Sequence, residues 1–417
     1  MSPALLLVVL LLEAASIEAS VTCRDQNNNA VDWFIMYKVP RIEFEDGTST
    51  QGTEFAYIDS RTSARKWRIS SQSIRSDNPL SYSVAPLFKN DLHSSNTCRV
   101  GLHRRLSPYG SSIQAGYVVP GDQGIQFHDL TRQGQRVPEN AETERKTKEE
   151  EEEEKKKELM YVVYNDQPPP RYTATNDGHS KGLVIFDNTT GVWIQHSIPR
   201  FLEVAARQYV FPMNAERNAQ TVMCITFPTS AVNTIAWHLR MHHANVYHKS
   251  ARSALSQKYP EMDRLLQGIY VKYPQPIQSI DTLRSLDGSE FVTVAKRTPW
   301  DVDVYSDYVI YHVTSPNLLV QSWLSGAGQK MGPACKESYS VLDTEFINLH
   351  MIDKSWKWKS TEDHSKWAVG TSTPWFCFGS LNRMESQKSR GGEVTCMENS
   401  VVHKLFRSAS ETSQHCP

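Results

Sequence analysis

The chain has 417 residues, of which 39% are hydrophobic, and carries ten tryptophans and a formal net charge of −1. This much apolar material supports a large folded core and excludes an intrinsically disordered protein. The near-neutral charge argues against a nucleic-acid binder of the usual basic kind. Fourteen histidines would nevertheless gain positive charge below pH ~6.5, so we expect any polyanion to bind better in acid.

Residues 1–20 have the pattern of a secretory signal peptide. The apolar run from Leu5 to Leu12 is too short to span a bilayer, and the small residues Ala14 and Ala15 follow it. No later stretch is apolar enough to cross a membrane. We therefore expect an exported chain that carries disulfides.

Seven cysteines are present, and Cys98 is the odd one. The remaining six allow fifteen pairings, among which the sequence alone does not choose. These six are Cys23, Cys224, Cys335, Cys377, Cys396 and Cys416.

The first part of the chain contains a strand, a basic stretch and an insertion. Residues 31–39 form an apolar and aromatic run that ends at Pro40, which predicts a buried strand. Residues 60–75 carry five basic side chains around Trp67, and this stretch either tracks a phosphate backbone or is a solvated loop. Residues 93–158 end in a dense charge block, which predicts a flexible insertion without a core of its own.

A strand at residues 161–164 is followed by a predicted hairpin. Residues 183–186 and 192–194 form its two arms, and the turn between them contains Asn188 in an Asn-Thr-Thr sequon. Because a hairpin tip is exposed, we expect Asn188 to be glycosylated.

Residues 231–243 have helical character and place His238 and His242 four positions apart. Two such histidines can bind zinc from one face of a helix. The glutamate that completes the His-Glu-x-x-His zinc motif is absent here, so we expect no metal site.

A His-Ser-Lys triplet occurs twice, at His179 to Lys181 and at His364 to Lys366. In an extended segment, each triplet places its imidazole and ammonium on one face. Two copies supply a nucleophile, a proton donor and positive charge, which are the groups that phosphodiester cleavage needs. Which of the two histidines attacks phosphorus is left open by the sequence.

A second predicted hairpin, with residues 375–378 as its second arm, brings Gly379 and Asn382 beside the second triplet. Asn382 lies sixteen positions after Lys366, and Ser197 lies sixteen positions after Lys181. We therefore predict that Lys181, Lys366 and Asn382 hold the non-bridging phosphate oxygens. His196 and Ser197 are predicted to contact phosphate or substrate at the position that corresponds to Asn382.

These motifs resemble the phospholipase D superfamily signature, in which His-x-Lys is followed by an Asp and later by a Gly and an Asn. Gly379 and Asn382 each lie one position farther from the triplet than in the usual form of this signature. Neither copy of the signature is complete. In the second copy Ser372 stands at the position of the signature's Asp, and the first copy lacks the signature's Gly and Asn. Several segments in order resemble deoxyribonuclease II more specifically. They are residues 31–40, 164–169, 178–182, 196–199, 362–367 and 382–383.

The resemblance implies an α/β fold in which a pseudo-twofold pair of phospholipase D-like αβα sandwich halves shares a central active site. The halves would be residues 21–205, which include the insertion, and residues 206–417. The resemblance also implies the disulfides Cys23–Cys224, Cys335–Cys416 and Cys377–Cys396.

The activity implied is that of an acid endonuclease that cleaves DNA without metal or other cofactor and with little sequence preference. It would proceed through a phosphohistidine and leave 3′-phosphate and 5′-hydroxyl ends, in a lysosomal or secreted protein. Two alternatives remain, a lipid phosphodiesterase of the same superfamily and a secreted binding protein with weak activity. The oligomeric state is not indicated.

Overall fold

The computed structural model describes residues 20–43, 47–63, 65–94, 158–170, 177–272, 276–313, 315–325, 328–350 and 355–416. The predicted signal peptide and insertion lie outside these residues, apart from the end residues of each. The chain divides into two units, residues 93–157 and the remainder, and the fold below is that of the remainder. None of the described helices is long and apolar enough to cross a membrane.

Short strands predominate in the described chain. In the first part they are β1 (Cys23–Arg24), β2 (Ala30–Val31), β3 (Trp33–Lys38), β4 (Phe55–Asp59), β5 (Met160–Asn165), β6 (Lys181–Phe186), β7 (Thr190–His196), β8 (Gln220–Pro228) and β9 (Val246–Lys249). In the second part they are β10 (Gln278–Arg284), β11 (Glu290–Lys296), β12 (Asn317–Gln321), β13 (Ala334–Cys335), β14 (Ser340–Asp343), β15 (Phe346–His350), β16 (Ser355–Lys359), β17 (Trp367–Gly370), β18 (Trp375–Gly379), β19 (Gly392–Glu398) and β20 (Ser410–Glu411).

The described helices are mostly short. They are α1 (Pro79–Ser94), α2 (Val232–Met241), α3 (Ala254–Gln257), α4 (Pro260–Leu266), α5 (Ile310–His312, continuing a π-helical turn at Tyr305–Val309), α6 (Glu385–Lys388) and α7 (Ser400–Ala409). Asn399 caps α7, because its Oδ1 accepts hydrogen bonds from the backbone N–H groups of Val401 and Val402.

Most of the described strands form two large sheets. Together with the helices, these sheets confirm the predicted α/β class. The first has the order β4-β3-β8-β7-β6-β5-β9 and the second β10-β11-β19-β18-β17-β12-β14-β13. The second sheet is mixed, since β12 and β14 run parallel. Strands β8 and β9 belong to the first sheet, so the sheets divide after Lys249 and not at the predicted boundary of residue 205.

Both predicted hairpins are present, as β6–β7 and β17–β18. Around each of them the strand order is the same: β3-β8-β7-β6-β5 corresponds to β11-β19-β18-β17-β12, with every neighbouring pair antiparallel. A helix follows the second strand of each run, α2 after β8 and α7 after β19. The repeated triplet therefore belongs to a repeated strand order.

Side chains from both faces of each sheet are buried. Along β3, Trp33, Ile35 and Tyr37 enter an apolar cluster that also contains residues of α2, α7 and the second sheet. The intervening Phe34 and Met36 face a second cluster with α1. This alternation explains the uninterrupted apolar run in the sequence, because a strand covered on both faces needs apolar residues at every position.

The three disulfides implied by the family resemblance are all formed: Cys23–Cys224, Cys335–Cys416 and Cys377–Cys396. Cys23–Cys224 ties the amino-terminal strand β1 to β8 in the first sheet. Cys377–Cys396 joins β18 to β19 beside the second triplet. Asn188 is exposed on the β6–β7 turn, where its glycosylation remains a prediction.

Candidate active site

Each His-Ser-Lys triplet lies at the entrance to the first strand of its hairpin. Lys181 is the first residue of β6, and Lys366 directly precedes β17. Lys181 is therefore the one triplet residue that lies within a strand, whereas the sequence analysis treated each triplet as an extended segment. In the first triplet the two side chains still lie on one side, because the side chains of both His179 and Lys181 contact Asp166.

The two halves hold each other's triplet in the same way. The backbone N–H of His179 donates to the Gly391 carbonyl at 2.8 Å, and that of His364 donates to the Ala219 carbonyl at 2.9 Å. Gly391 directly precedes β19 and Ala219 directly precedes β8, which are corresponding strands. Each histidine is thus fixed by the opposite half, and neither half has a complete site alone.

The hydrogen bonds show which residues of the two hairpins correspond. Ser197 N–H donates to Thr221 O and Ser197 Oγ accepts from Thr221 N–H, both at 3.0 Å. Ser380 makes the same pair of bonds with Glu393, at 3.0 and 2.9 Å. Ser197 therefore corresponds to Ser380 and not to Asn382. The equal spacing misled the sequence comparison because the second hairpin is shorter.

Asp166, which directly follows β5, lies between the ionisable groups of the first triplet. Its carboxylate pairs with Lys181 Nζ, lies 3.7 Å from His179 Nε2, and lies 3.8 Å from Arg390. Burial alone would raise the pKa of Asp166, but the surrounding positive charges hold it below its ordinary value. Asp166 is therefore ionised and can stabilise a protonated His179.

His179 Nδ1 donates a hydrogen bond to the Ser380 carbonyl, 2.7 Å away. Because a carbonyl only accepts, Nδ1 carries a proton and Nε2 is the nitrogen left to exchange one. Burial lowers the pKa of His179 to about 3, with Asp166 opposing that effect and Lys181 and Lys366 adding to it. Without substrate, this imidazole is neutral through the physiological range.

His364 has a different environment from His179. Side-chain amides contact its two ring nitrogens, Asn218 at 3.1 Å from Nε2 and Gln220 at 3.4 Å from Nδ1. The Trp323 ring packs against it with a centroid distance of 4.0 Å. Burial, together with the charges of Lys366, Lys181, Lys38 and His179, lowers the pKa of His364 to about 2. No acid in the described residues is among the charges that act on it.

Lys366 completes the second triplet, and its Nζ donates to the His364 carbonyl at 2.5 Å. Burial lowers the pKa of Lys366 to about 7, with the neighbouring charge of Lys181 as the next cause. Both lysines therefore lie near each other and near both histidines. Asp166 pairs with Lys181, whereas no carboxylate of the described residues pairs with Lys366, so the Lys366 ammonium is available to an anion.

The three remaining predicted site residues are buried at the edge of this cluster. Asn382 Oδ1 accepts from the Trp323 N–H at 3.1 Å, which leaves its amide NH₂ available. Ser197 Oγ donates to Gln220 at 2.6 Å and so acts on His364 through that residue. His196 lies within range of the Lys181 charge, and burial lowers the pKa of its imidazole to about 3. Its Nε2 has no hydrogen-bond partner among the described residues.

His238 and His242 do not face a common ligand. His238 Nε2 contacts Asp281 at 2.7 Å, whereas His242 Nε2 contacts Ser180 Oγ at 2.8 Å. His242 thus supports the middle residue of the first triplet, with Glu393 3.7 Å from its Nδ1. Across the described ranges, no group of three or more His, Cys, Asp or Glu side chains is placed to hold a metal ion.

Arg383 fixes the loop that carries Ser380 and Asn382. Its buried guanidinium pairs with Asp303 at 3.0 Å and Asp343 at 2.8 Å, and its N–H donates to Ser322 Oγ. Arg383→Leu should lower the free energy of unfolding by about 3–5 kcal/mol, because it leaves two buried carboxylates without their partner. Urea denaturation measures this change.

The exposed pair of Arg252 with Asp263 provides the matched control for that substitution. Arg252→Leu should leave the urea midpoint nearly unchanged, since exposed ion pairs contribute little. Equal midpoints for the Arg383→Leu protein and the wild type would contradict a structural role for the buried pair.

Several residues of the cluster were not assigned by the sequence analysis. Asp166, Asn218, Gln220 and Trp323 contact the two triplets, yet none carries a motif of its own. Asp166 and Trp323 follow the ends of the corresponding strands β5 and β12, and Asn218 and Gln220 lie at the start of β8. Asp166 also lies in segment 164–169, one of those that carry the family resemblance, whereas only the strand pairing of the two halves would have indicated the other three.

Comparisons with known proteins place this site in context. A family model described as Deoxyribonuclease II matches residues 22–100 and 109–416. Plancitoxin-1 of Acanthaster planci is 29% identical over 99% of this chain and 97% of its own. Deoxyribonuclease-2 of Caenorhabditis elegans is 29% identical over 100% and 99%, and Deoxyribonuclease-2-alpha of Sus scrofa is 26% identical over 100% and 95%.

Proposed function

The chain belongs to the deoxyribonuclease II family, and on this basis we propose that it is an endonuclease that hydrolyses DNA in acid with little sequence preference. The observation that carries the proposal is the joining of both triplets in one cluster, where each histidine is hydrogen-bonded to the opposite half. The polar and basic surroundings favour a polyanion over a lipid, because a lipid phosphodiesterase needs an apolar approach for acyl chains.

We assign the attack on phosphorus to His364. No carboxylate of the described residues pairs with its imidazole, and burial and three lysines keep the ring neutral, so one ring nitrogen carries a lone pair. His179 is the general acid, because Asp166 stabilises its protonated form. A nitrogen–phosphorus bond forms as the bond to the 5′-oxygen breaks, and that oxygen takes the proton from His179 Nε2.

The phosphohistidine is then hydrolysed. His179, now neutral, takes a proton from water as the water oxygen attacks phosphorus, and the bond to His364 breaks. The products are a 3′-phosphate and a 5′-hydroxyl. Splitting the hydrolysis into two displacements lowers the barrier of each, since both use groups already in position.

Positive charge at the phosphate comes from the chain itself in this proposal. Lys181, Lys366 and the Asn382 amide hold the non-bridging oxygens, with His196 and Ser197 at the edge of the cluster. These groups stabilise the charge that develops in the transition state, which is the contribution that a metal makes in other nucleases. The reaction therefore needs no divalent ion.

We further propose that the two halves are related by a pseudo-twofold axis, as in phospholipase D-like proteins. The identical strand order around the triplets and the matched bonds of Ser197 and Ser380 support this relation. For the protein's location we propose secretion or a lysosome, because three disulfides persist best in an oxidising compartment.

Plasmid cleavage at pH 5 and pH 7.5, with and without EDTA, tests this function. We expect nicking and degradation at pH 5 that EDTA does not reduce, with product ends that a phosphatase acts on at the 3′ side. Loss of cleavage on chelation, with recovery on adding Mg²⁺ or Zn²⁺, would contradict the metal-free mechanism. Release of lipid headgroups without DNA cleavage would favour the lipid phosphodiesterase.

A further inference from the structure

A cavity of about 300 Å³ lies beside the residues that contact the His364 ring. Arg41, Arg217, Asn218, Trp323 and Thr361 line it. Two of these residues also form the wall of the active site, since Asn218 contacts His364 Nε2 and Trp323 packs on the imidazole ring. A DNA strand whose phosphorus lies at His364 therefore has this cavity beside it.

The charge of the cavity suits an anion. Arg41 and Arg75 share the single carboxylate of Glu216, which leaves one positive charge in excess. Arg217 is exposed and, within the described residues, no carboxylate pairs with it. The one acid in the lining, Glu362, accepts a hydrogen bond from the backbone of Lys359. A guanidinium without a protein partner is a strong and geometrically specific ligand for phosphate.

Trp323 is held rigidly in the cavity wall. Its indole Nε1–H donates to the Thr361 carbonyl at 3.1 Å, and its backbone N–H donates to Asn382 Oδ1 at 3.1 Å. An anchored aromatic ring can stack on any base, because every base presents a π face. Such stacking binds DNA without selecting a sequence.

We propose that this cavity is a subsite for the nucleotide next to the scissile phosphate, with Arg217 at that nucleotide's own phosphate and Trp323 against its base. The inference rests on the proposed nuclease function and adds a binding site to it. The volume is sufficient for one nucleotide unit, whose phosphate lies one linkage from the bond that is cut.

Dinucleotide substrates isolate the contribution of this phosphate. Thymidylyl-thymidine contains one cleavable bond, and it can be made with no terminal phosphate, with a 5′-phosphate or with a 3′-phosphate. We expect one of the two terminal phosphates to raise kcat/KM of the wild-type protein by about tenfold, which corresponds to one charge-assisted hydrogen bond. The terminal phosphate that gives the gain identifies whether the nucleotide on the 5′ side or the one on the 3′ side of the scissile bond occupies the cavity.

Arg217→Ala should remove that gain and leave kcat/KM for the substrate without a terminal phosphate unchanged. Arg217→Glu should turn the gain into a loss, because a carboxylate repels the terminal phosphate. Arg284→Ala is the matched control, since Arg284 is an exposed arginine paired with Glu290 on the β10–β11 hairpin. That variant should keep the full gain.

The outcomes separate the subsite from the nuclease function. If the wild-type protein degrades plasmid DNA but neither terminal phosphate raises kcat/KM, the subsite is wrong and the nuclease proposal stands. The subsite is equally wrong if the gain persists in Arg217→Ala. If the wild-type protein cleaves neither plasmid nor dinucleotide, the nuclease proposal itself fails.

Discussion

His364→Ala should lower kcat on plasmid DNA by about 10⁴-fold or more, because it removes the atom that bonds to phosphorus. His179→Ala should also lower the rate on DNA, by about 10²–10⁴-fold, since general acid catalysis has this magnitude. The two variants should differ with an activated substrate such as bis(4-nitrophenyl) phosphate. Nitrophenolate leaves without a proton, so its departure does not need His179.

The expected result with that substrate is a burst. His179→Ala should release about one equivalent of nitrophenolate per protein and then turn over slowly, because hydrolysis of the phosphohistidine still needs a base. His364→Ala should give no burst. A stopped-flow trace of absorbance, with the folded state of each variant checked by circular dichroism, measures both. A burst in His364→Ala and none in His179→Ala would reverse the two assignments.

These two histidines show how far sequence reasoning extends into the site. The repeated triplet and the family resemblance predicted that His179 and His364 lie in one site. In the structure the backbone N–H of each histidine donates to a carbonyl of the opposite half. Assigning the roles depended on Asp166, which lies fifteen positions from Lys181 in sequence and contacts it only because β5 and β6 pair. Strand pairing of this kind is a tertiary feature that no local pattern contains.

The correspondence of Ser197 with Ser380 illustrates why other features of the site and of the fold were not predicted from the sequence. Counting from each lysine assumes hairpins of equal length, yet the second reaches its serine two residues sooner. Likewise the boundary at residue 205 followed the family's two halves, whereas β8 returns to the first sheet to pair with β3 and β7. Long-range antiparallel pairing, and not composition, decides both features.

The rate of DNA cleavage should be highest below neutral pH and should fall above pH 7, by about tenfold per pH unit for each essential group that loses its proton. Two groups cause this fall. Lys366, whose pKa burial lowers to about 7, loses its charge as the pH rises and no longer holds a non-bridging oxygen. The protonated His179 of the substrate complex also loses its proton as the pH rises, because burial and nearby lysines oppose the imidazolium that bound phosphate stabilises.

Substrate should move the pH dependence in a defined direction. In the free protein the pKa of His179 is lowered to about 3, whereas the negative charge of bound phosphate stabilises the imidazolium and raises it. The limb that reports His179 should therefore lie at higher pH in kcat, which reflects the complex, than in kcat/KM, which reflects the free protein. Initial rates from pH 4 to 8 at constant ionic strength test this: kcat/KM should already decline across the whole range, whereas kcat should hold its maximum to higher pH before it falls.

Lys366→Arg separates the two causes of the alkaline fall. Arginine keeps its charge throughout this range, so the part of the decline that Lys366 causes should vanish, although the altered geometry lowers the maximum. The part due to His179 should remain. A wild-type maximum at pH 7.5 or above would refute the acid-nuclease proposal even if DNA is cleaved. A wild-type decline that Lys366→Arg leaves unchanged would assign the whole alkaline limb to the histidine.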